Sequence, residues 1–256
     1  ILNFSQRSLM ICTLQLWFLK IPVKIQLILT VLTENCGIKL LTFFSESHKD
    51  MYNNHFLLSF NNHLSESFTL IPNTIEQYTK DGNYYDKGFN RAMKEKIKII
   101  ISNIDTFDEN LMVFADADIQ FFGDFSNYIK NDIGDYDIMF QDDILCLCAG
   151  FMVFKQTEDV KKFFINVYNI THNFEHDQVA INHLINTDQH NLKVKKLDRE
   201  TFFTIGSATK AKQWNGETNL EIPKNILVHH ANWTVGNDNK IKLLNYIRDE
   251  ITTLRV

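Results

Sequence analysis

Two aspartates one residue apart, Asp116 and Asp118, close a run of five apolar residues in LMVFADADIQFFGDF (111–125). Side chains alternate along an extended chain, so positions 116 and 118 face the same side. Two carboxylates at that spacing repel each other unless a cation stands between them. All-oxygen ligation suits a hard divalent ion, Mn2+ or Mg2+, which keeps open positions for phosphate oxygens. The pair therefore points to a metal–diphosphate site. Apolar Ile119, Phe121 and Phe122 beyond it argue against two idle, solvated loop acids. His230 ends a second apolar run, ILVHH (226–230), and a neutral imidazole nitrogen can complete such a site. Alternation turns its neighbour His229 to the opposite face.

These residues need a scaffold that brings them together. LMVFA (111–115) reads as a strand delivering the aspartates at its carboxyl end, where ligands of open α/β sheets sit. IKLLTFF (38–44), SFTLI (67–71), YDIMF (136–140), GFMVF (150–154), LKVKKL (192–197) and ILVHH read as further strands. Residues 86–104 repeat apolar side chains at helical spacing through Phe89, Met93, Ile97, Ile100 and Ile104. The same spacing predicts helices over 158–170 and 177–186. Strands alternating with helices indicate an α/β fold: a mixed, mostly parallel sheet with helices on both faces. No repeat and no linker divides residues 38–256.

The chain has 256 residues, 45% hydrophobic and 22% charged, enough for a sizeable core in one large domain. A formal net charge of −5 argues against nucleic acid as a partner, though not against a local basic pocket for phosphates. G-x-G-x-x-G, a Walker loop, H-E-x-x-H and G-x-S-x-G are all absent, which removes the common dinucleotide, nucleotide-hydrolase, zincin and serine-esterase readings. Cys12, Cys36, Cys146 and Cys148 form no C-x-x-C and read as free thiols. Residues 1–37 form an apolar extension. Residues 9–32 within it carry Arg7, Lys20 and Lys24 at or near their flanks and no acid before Glu34, like a signal or anchor. Its uninterrupted piece, LMICTLQLWFL, is about half the length of a spanning helix. The expectation is a soluble cytoplasmic protein, with a membrane or secretory-pathway placement through residues 9–32 as the alternative.

The D-x-D segment resembles that of nucleotide-diphospho-sugar transferases with the glycosyltransferase-A (Rossmann-like) fold. Four other pieces resemble that family in its order: FNRAMKEKIKIIISNI (89–104), DILCLCAGFMVF (143–154), HDQVAINHLI (176–185) and LVHHANWTVGNDNK (227–240). The resemblance implies sugar transfer from a nucleoside-diphosphate donor to an acceptor hydroxyl on a glycan, protein or small molecule. It implies a metal set of Asp116, Asp118 and His230. Asp118 would bind the metal directly, and Asp116 would bind it through water or hold the nucleotide ribose. The donor-binding set would be Lys96, Asp116, Ala117, Ala149, Gly150 and Lys240, with Lys94 and Lys98 as rivals of Lys96 on a helix whose charge run could equally be a wet face. Lys240, in a polar loop after Gly236, would neutralise the departing diphosphate. Asp177 and Gln178 would be the catalytic contacts near the reacting carbon, although an acid opening a helix is also favoured by the dipole. The His…Lys ending resembles the retaining branches. Cys148 stands where family members often carry Asn against the sugar, which opens the alternative of a domain that binds nucleotide-sugar or glycan with little turnover. A haloacid-dehalogenase-type phosphatase, which also places Asp-x-Asp after an apolar strand, is the rival enzyme. Gln120 two residues on, and the long stretch of domain before the motif, are at odds with it.

Overall fold

The computed structural model describes residues 37–80, 85–108 and 110–255. The chain divides after Gly37, and the second unit, Ile38–Val256, is compact. The expected anchor at 9–32 lies outside the described residues, and no described helix is long and apolar enough to cross a membrane.

The second unit is built on a six-stranded sheet of order β2-β1-β3-β6-β5-β7. Its strands are β1 (Ile38–Phe44), β2 (Phe68–Thr74), β3 (Leu111–Ala115), β5 (Ile138–Asp142), β6 (Leu147–Lys155) and β7 (Val194–Lys196). A smaller sheet has the order β4-β9-β8, from β4 (Ile119–Phe121), β8 (Phe202–Thr204) and β9 (Val228–His230). In the large sheet β6 runs antiparallel to both neighbours, β3 and β5, while the other pairs are parallel. The expected mixed, mostly parallel sheet is therefore present.

The continuous apolar run of LMVFA is explained by its place. β3 lies between β1 and β6 with every residue buried. Leu111, Val113 and Ala115 pack into the core on one face, and Met112 and Phe114 into the core on the other. The second face is covered by α2 (Phe89–Asn103), α4 (Glu158–Ile170) and α5 (Asp177–Asn186), through Met93, Ile97, Phe163, Phe164 and Ile181 among others. The first is covered by a helical segment, α1, running Lys49–Met51, a π-helical Tyr52–Leu57 and Leu58–His63, and by α3 (Ser126–Asp132). After the short α6 (Ile205–Thr209), the last helix α7 (Asn237–Leu254) packs Leu243, Leu244, Ile247 and Ile251 against Phe203 and Ile205.

Four differences from the sequence reading matter for the site. β5 starts at Ile138 rather than Tyr136, whose amide closes a turn onto Ile133 O. β6 begins three residues earlier than GFMVF and so adds Leu147, Cys148 and Ala149. β4 and β8, at three residues each, carry no readable period. Lys240 is not in a loop: α7 starts at Asn237, and the Lys240 amide already bonds Gly236 O in its first turn.

Candidate metal and donor site

The sheet ends meet at a cleft of about 430 Å³. Backbone hydrogen bonds set its floor. Asp116 N donates to Gly150 O at 2.8 Å, tying the end of β3 to β6. Ala231 N donates to Asp118 O at 3.1 Å, tying the D-x-D turn to the end of β9. Across the β4–β9 pairing Ile119 sits opposite His230. The small sheet thus carries a residue more than a hundred positions away to the aspartates.

One ligand atom from each of Asp116, Asp118 and His230 can be chosen so that all lie within 4.8 Å of one another. His230 Nε2 is 3.2 Å from Asp118 Oδ1, and Lys240 Nζ is 2.6 Å from Asp118 Oδ2. His229 faces away, into the core beside Phe203 with ring centroids 5.9 Å apart, and both its ring nitrogens are buried without a hydrogen-bond partner. Gly150 permits the approach of His230 and Asp116. A Cβ there would lie 2.2 Å from His230 Cε1 and 2.9 Å from Asp116 Oδ2, so any side chain would push the ligands apart.

Lys96 is the lysine of α2 that reaches the site. It is 1% exposed, with Nζ 2.9 Å from Asp177 Oδ2 and 3.4 Å from Asp116 Oδ1. Lys94 and Lys98 instead lie over the Tyr168 ring on the outer side. The wet-face reading of this charge run therefore fails at one position, which tertiary packing turns inward. Ala117 and Ala149 line the cleft beside the aspartates. Asp177 opens α5, buried against Lys96. Gln178 also lines the cleft, but its amide is engaged: Oε1 accepts from Ala149 N at 3.1 Å and Nε2 donates to Cys146 Sγ at 3.2 Å. With Asn182, which bonds both Leu147 N and Leu147 O, Gln178 zips α5 onto β6. Cys146 and Cys148 are free thiols.

Burial and charge set the protonation states. Burial drives Asp116 upward, and despite the opposing pull of Lys96 its carboxyl is raised to about 6. Burial would also raise Asp118, but Lys240 and His230 outweigh it and hold that carboxylate well below its ordinary value. His230, which burial alone would lower, is raised well above 6.5 chiefly by Asp118. Asp177 is held below its ordinary value by Lys96 against its own burial. The carboxylates of Asp116, Asp118 and Asp177 thus face Lys96, Lys240 and His230.

Sequence reasoning missed several cleft residues. His48, in the turn after β1, is kept neutral by burial and then by nearby Lys240, at about 4. Asp143 Oδ1 accepts from Asn232 Nδ2 at 2.9 Å and Trp233 Nε1 at 2.8 Å, and burial raises its carboxyl. Behind the cleft lining, the fully buried Gln141 places Oε1 3.1 Å from His230 Nδ1. Asp143, Asn232 and Trp233 lie inside the two quoted motifs, DILCLCAG and HHANW, but only the fold shows that they meet.

The donor set can be tested against a divalent ion. Two carboxylates and one imidazole, from Asp116, Asp118 and His230, converge on one point. That set fits a hard or borderline divalent cation.

Residues 57–244, well over half of the chain, match the model of the nucleotide-diphospho-sugar transferase family. The chain belongs to that family. The haloacid-dehalogenase alternative falls with this match. A search of curated proteins finds no match. Solved structures similar to this transferase-family chain include the glycosyltransferase GlyE of Streptococcus pneumoniae TIGR4, 13% identical with a TM-score of 0.54, covering 86% of this chain and 62% of that one. The chain thus spans less than two thirds of GlyE's length. A glycosyltransferase involved in glycosylation of the major capsid of PBCV-1 is 9% identical with a TM-score of 0.56, covering 82% of this chain and 99% of that one. An active-site mutant of LgtC is 8% identical with a TM-score of 0.53, covering 83% and 96%. The fold is glycosyltransferase-A-like.

Proposed function

We propose that this transferase-family chain moves a sugar from a nucleoside-diphosphate donor to an acceptor hydroxyl, with Asp116, Asp118 and His230 holding Mn2+ or Mg2+. The observation that carries the proposal is the convergence of those three side chains at the floor of the cleft. A bound divalent ion supplies electrostatic stabilisation of the diphosphate as charge develops on it.

The chain's own residues do the rest. Lys240, whose Nζ stands 2.6 Å from Asp118 Oδ2, would offer its positive charge to a diphosphate oxygen in the cleft. Lys96 fixes the carboxylates of Asp116 and Asp177. Ala149 on β6 lines the cleft where the sugar would lie, and Gly150 beside it gives His230 and Asp116 their space. The acceptor oxygen forms the new bond to the anomeric carbon, the bond from that carbon to the phosphate oxygen breaks, and the departing phosphate takes the acceptor proton. We favour retention of configuration because Asp177, held ionised and low by Lys96, is a poor base, and Gln178 is none.

The test is a panel of nucleotide sugars incubated with the full chain and Mn2+, with and without Asp118→Asn. Metal-dependent release of nucleoside diphosphate by the wild type, lost in the variant, supports the reading. Tight donor binding without release from any donor would leave a binding domain. Metal-independent turnover would overturn the assignment of the site.

A further inference from the structure

The hydrogen bonds around Gln141 carry a conclusion about which nitrogen of His230 can face a cation. Gln141 sits on β5 just after a register irregularity between Phe140 and Gln141, and is fully buried. Its side chain points to the small sheet, where Nε2 donates to Phe202 O at 3.2 Å and Phe203 O at 3.1 Å. Carbonyl oxygens only accept, so the amide nitrogen must face β8, and both its hydrogens are used. The amide cannot turn over without bringing three oxygens together in a dry core. Oε1 is thereby left facing His230 Nδ1 at 3.1 Å. A fixed acceptor at that nitrogen demands that Nδ1 carry a hydrogen. Nε2, on the Asp118 side, is then the nitrogen whose proton a cation can replace.

We infer that Gln141 is a positioning residue that locks His230 with Nδ1 protonated and so presents Nε2 to the metal. The two backbone carbonyls of β8 anchor the lock, which couples the small sheet's backbone to the ligand geometry. Cys148 Sγ lies 3.5 Å from the same Nδ1, but it also accepts from Gly150 N at 3.4 Å, and a thiol is a weak partner beside an amide oxygen. The inference rests on the cation reading only for its purpose. The state of Nδ1 can be read without any ion.

The test is nitrogen NMR of the full chain labelled at its histidines, first alone, then with Mg2+ and a nucleoside diphosphate. The expected result is a His230 Nδ1–H that persists in both, while the Nε2 signal shifts when Mg2+ and the nucleoside diphosphate are added. A bare or ligating Nδ1 would overturn the inference. If Nδ1–H persists but Nε2 ignores Mg2+, the lock stands and the cation reading fails. Cys148→Ala should leave the Nδ1–H signal in place, and its loss would make the thiol the true partner and refute the role of Gln141. Gln141→Leu should yield a mixture of ring tautomers and weaken Mn2+ binding about ten- to a hundredfold. An unchanged tautomer in a folded Gln141→Leu protein would contradict the lock. If that variant does not fold, the wild-type spectra decide.

Discussion

Lys96 and Asp177 form a fully buried ion pair, Nζ to Oδ2 at 2.9 Å, and the same ammonium holds Asp116 Oδ1 at 3.4 Å. One lysine on α2 therefore serves both the end of β3 and the start of α5. Removing one partner of a buried pair strands the other charges in a dry site, at about 3–5 kcal/mol. Lys96→Met is expected to lose stability on that scale in urea unfolding, and adding Asp177→Asn should recover part of it. The acid limb has a definite sign. Because Asp177 is held below 3.8, its contribution is present above that value and lost as pH falls through the lower folded value. A loss under about 1 kcal/mol in Lys96→Met would contradict a buried, charge-compensating role.

Metal binding should release protons. Asp116 is raised to about 6 and His230 well above 6.5, yet both must be deprotonated at the ligating atom. Mn2+ affinity should therefore climb as pH rises through about 6 and beyond. Calorimetry in two buffers of different ionisation enthalpy should detect proton release near neutral pH. Affinity flat across about pH 5–8 would mean that neither group is a ligand.

Gly150→Ala tests the close approach directly. The added Cβ would fall 2.2 Å from His230 Cε1, so the imidazole or β6 must shift. Overpacking of this kind costs about 1–3 kcal/mol. The expected outcome is a folded, modestly destabilised protein whose Mn2+ affinity has dropped at least about tenfold, since one displaced ligand costs upward of 1.4 kcal/mol. Wild-type affinity in this variant would show that His230 and Asp116 do not act together.

His229 offers the contrast to His230. Its two ring nitrogens are buried without partners, and burial lowers its pKa to about 3. An unsatisfied buried polar group costs about 1–3 kcal/mol. His229→Leu should raise the unfolding midpoint and leave Mn2+ binding intact, whereas His230→Ala should abolish it. Thermal unfolding and Mn2+ titration of the two variants decide the matter. Lost Mn2+ binding in His229→Leu would assign the ligand to the wrong neighbour.

The aspartates, the strand before them and the choice of His230 over His229 were legible because alternation and an unbroken apolar run are local signals. Lys96 was legible only as one of three lysines. What separates it from Lys94 and Lys98 is the docking of α2 onto the sheet beside Asp116 and α5. Gln141 carried no signal at all, since its role depends on a register irregularity in β5 and on carbonyls of β8 some sixty residues away. β4 and β8 were invisible because three residues cannot display a period, and α7 because its first turn, NDNK, reads as polar loop. The family resemblance implies that Gln178 contacts the sugar near the reacting carbon. In the fold its amide is spent on Ala149 and Cys146.

The central claim is that Asp116, Asp118 and His230 hold a divalent ion against a donor diphosphate. Anomalous diffraction from crystals of the full chain grown with Mn2+ and a nucleoside diphosphate tests it most directly. The account predicts one strong Mn2+ peak touching a carboxylate oxygen of Asp118 and Nε2 of His230, with Asp116 bound directly or through water and diphosphate oxygens on its open side. A peak elsewhere in the protein, or a diphosphate bound in the cleft with no ion at these three residues, would contradict it.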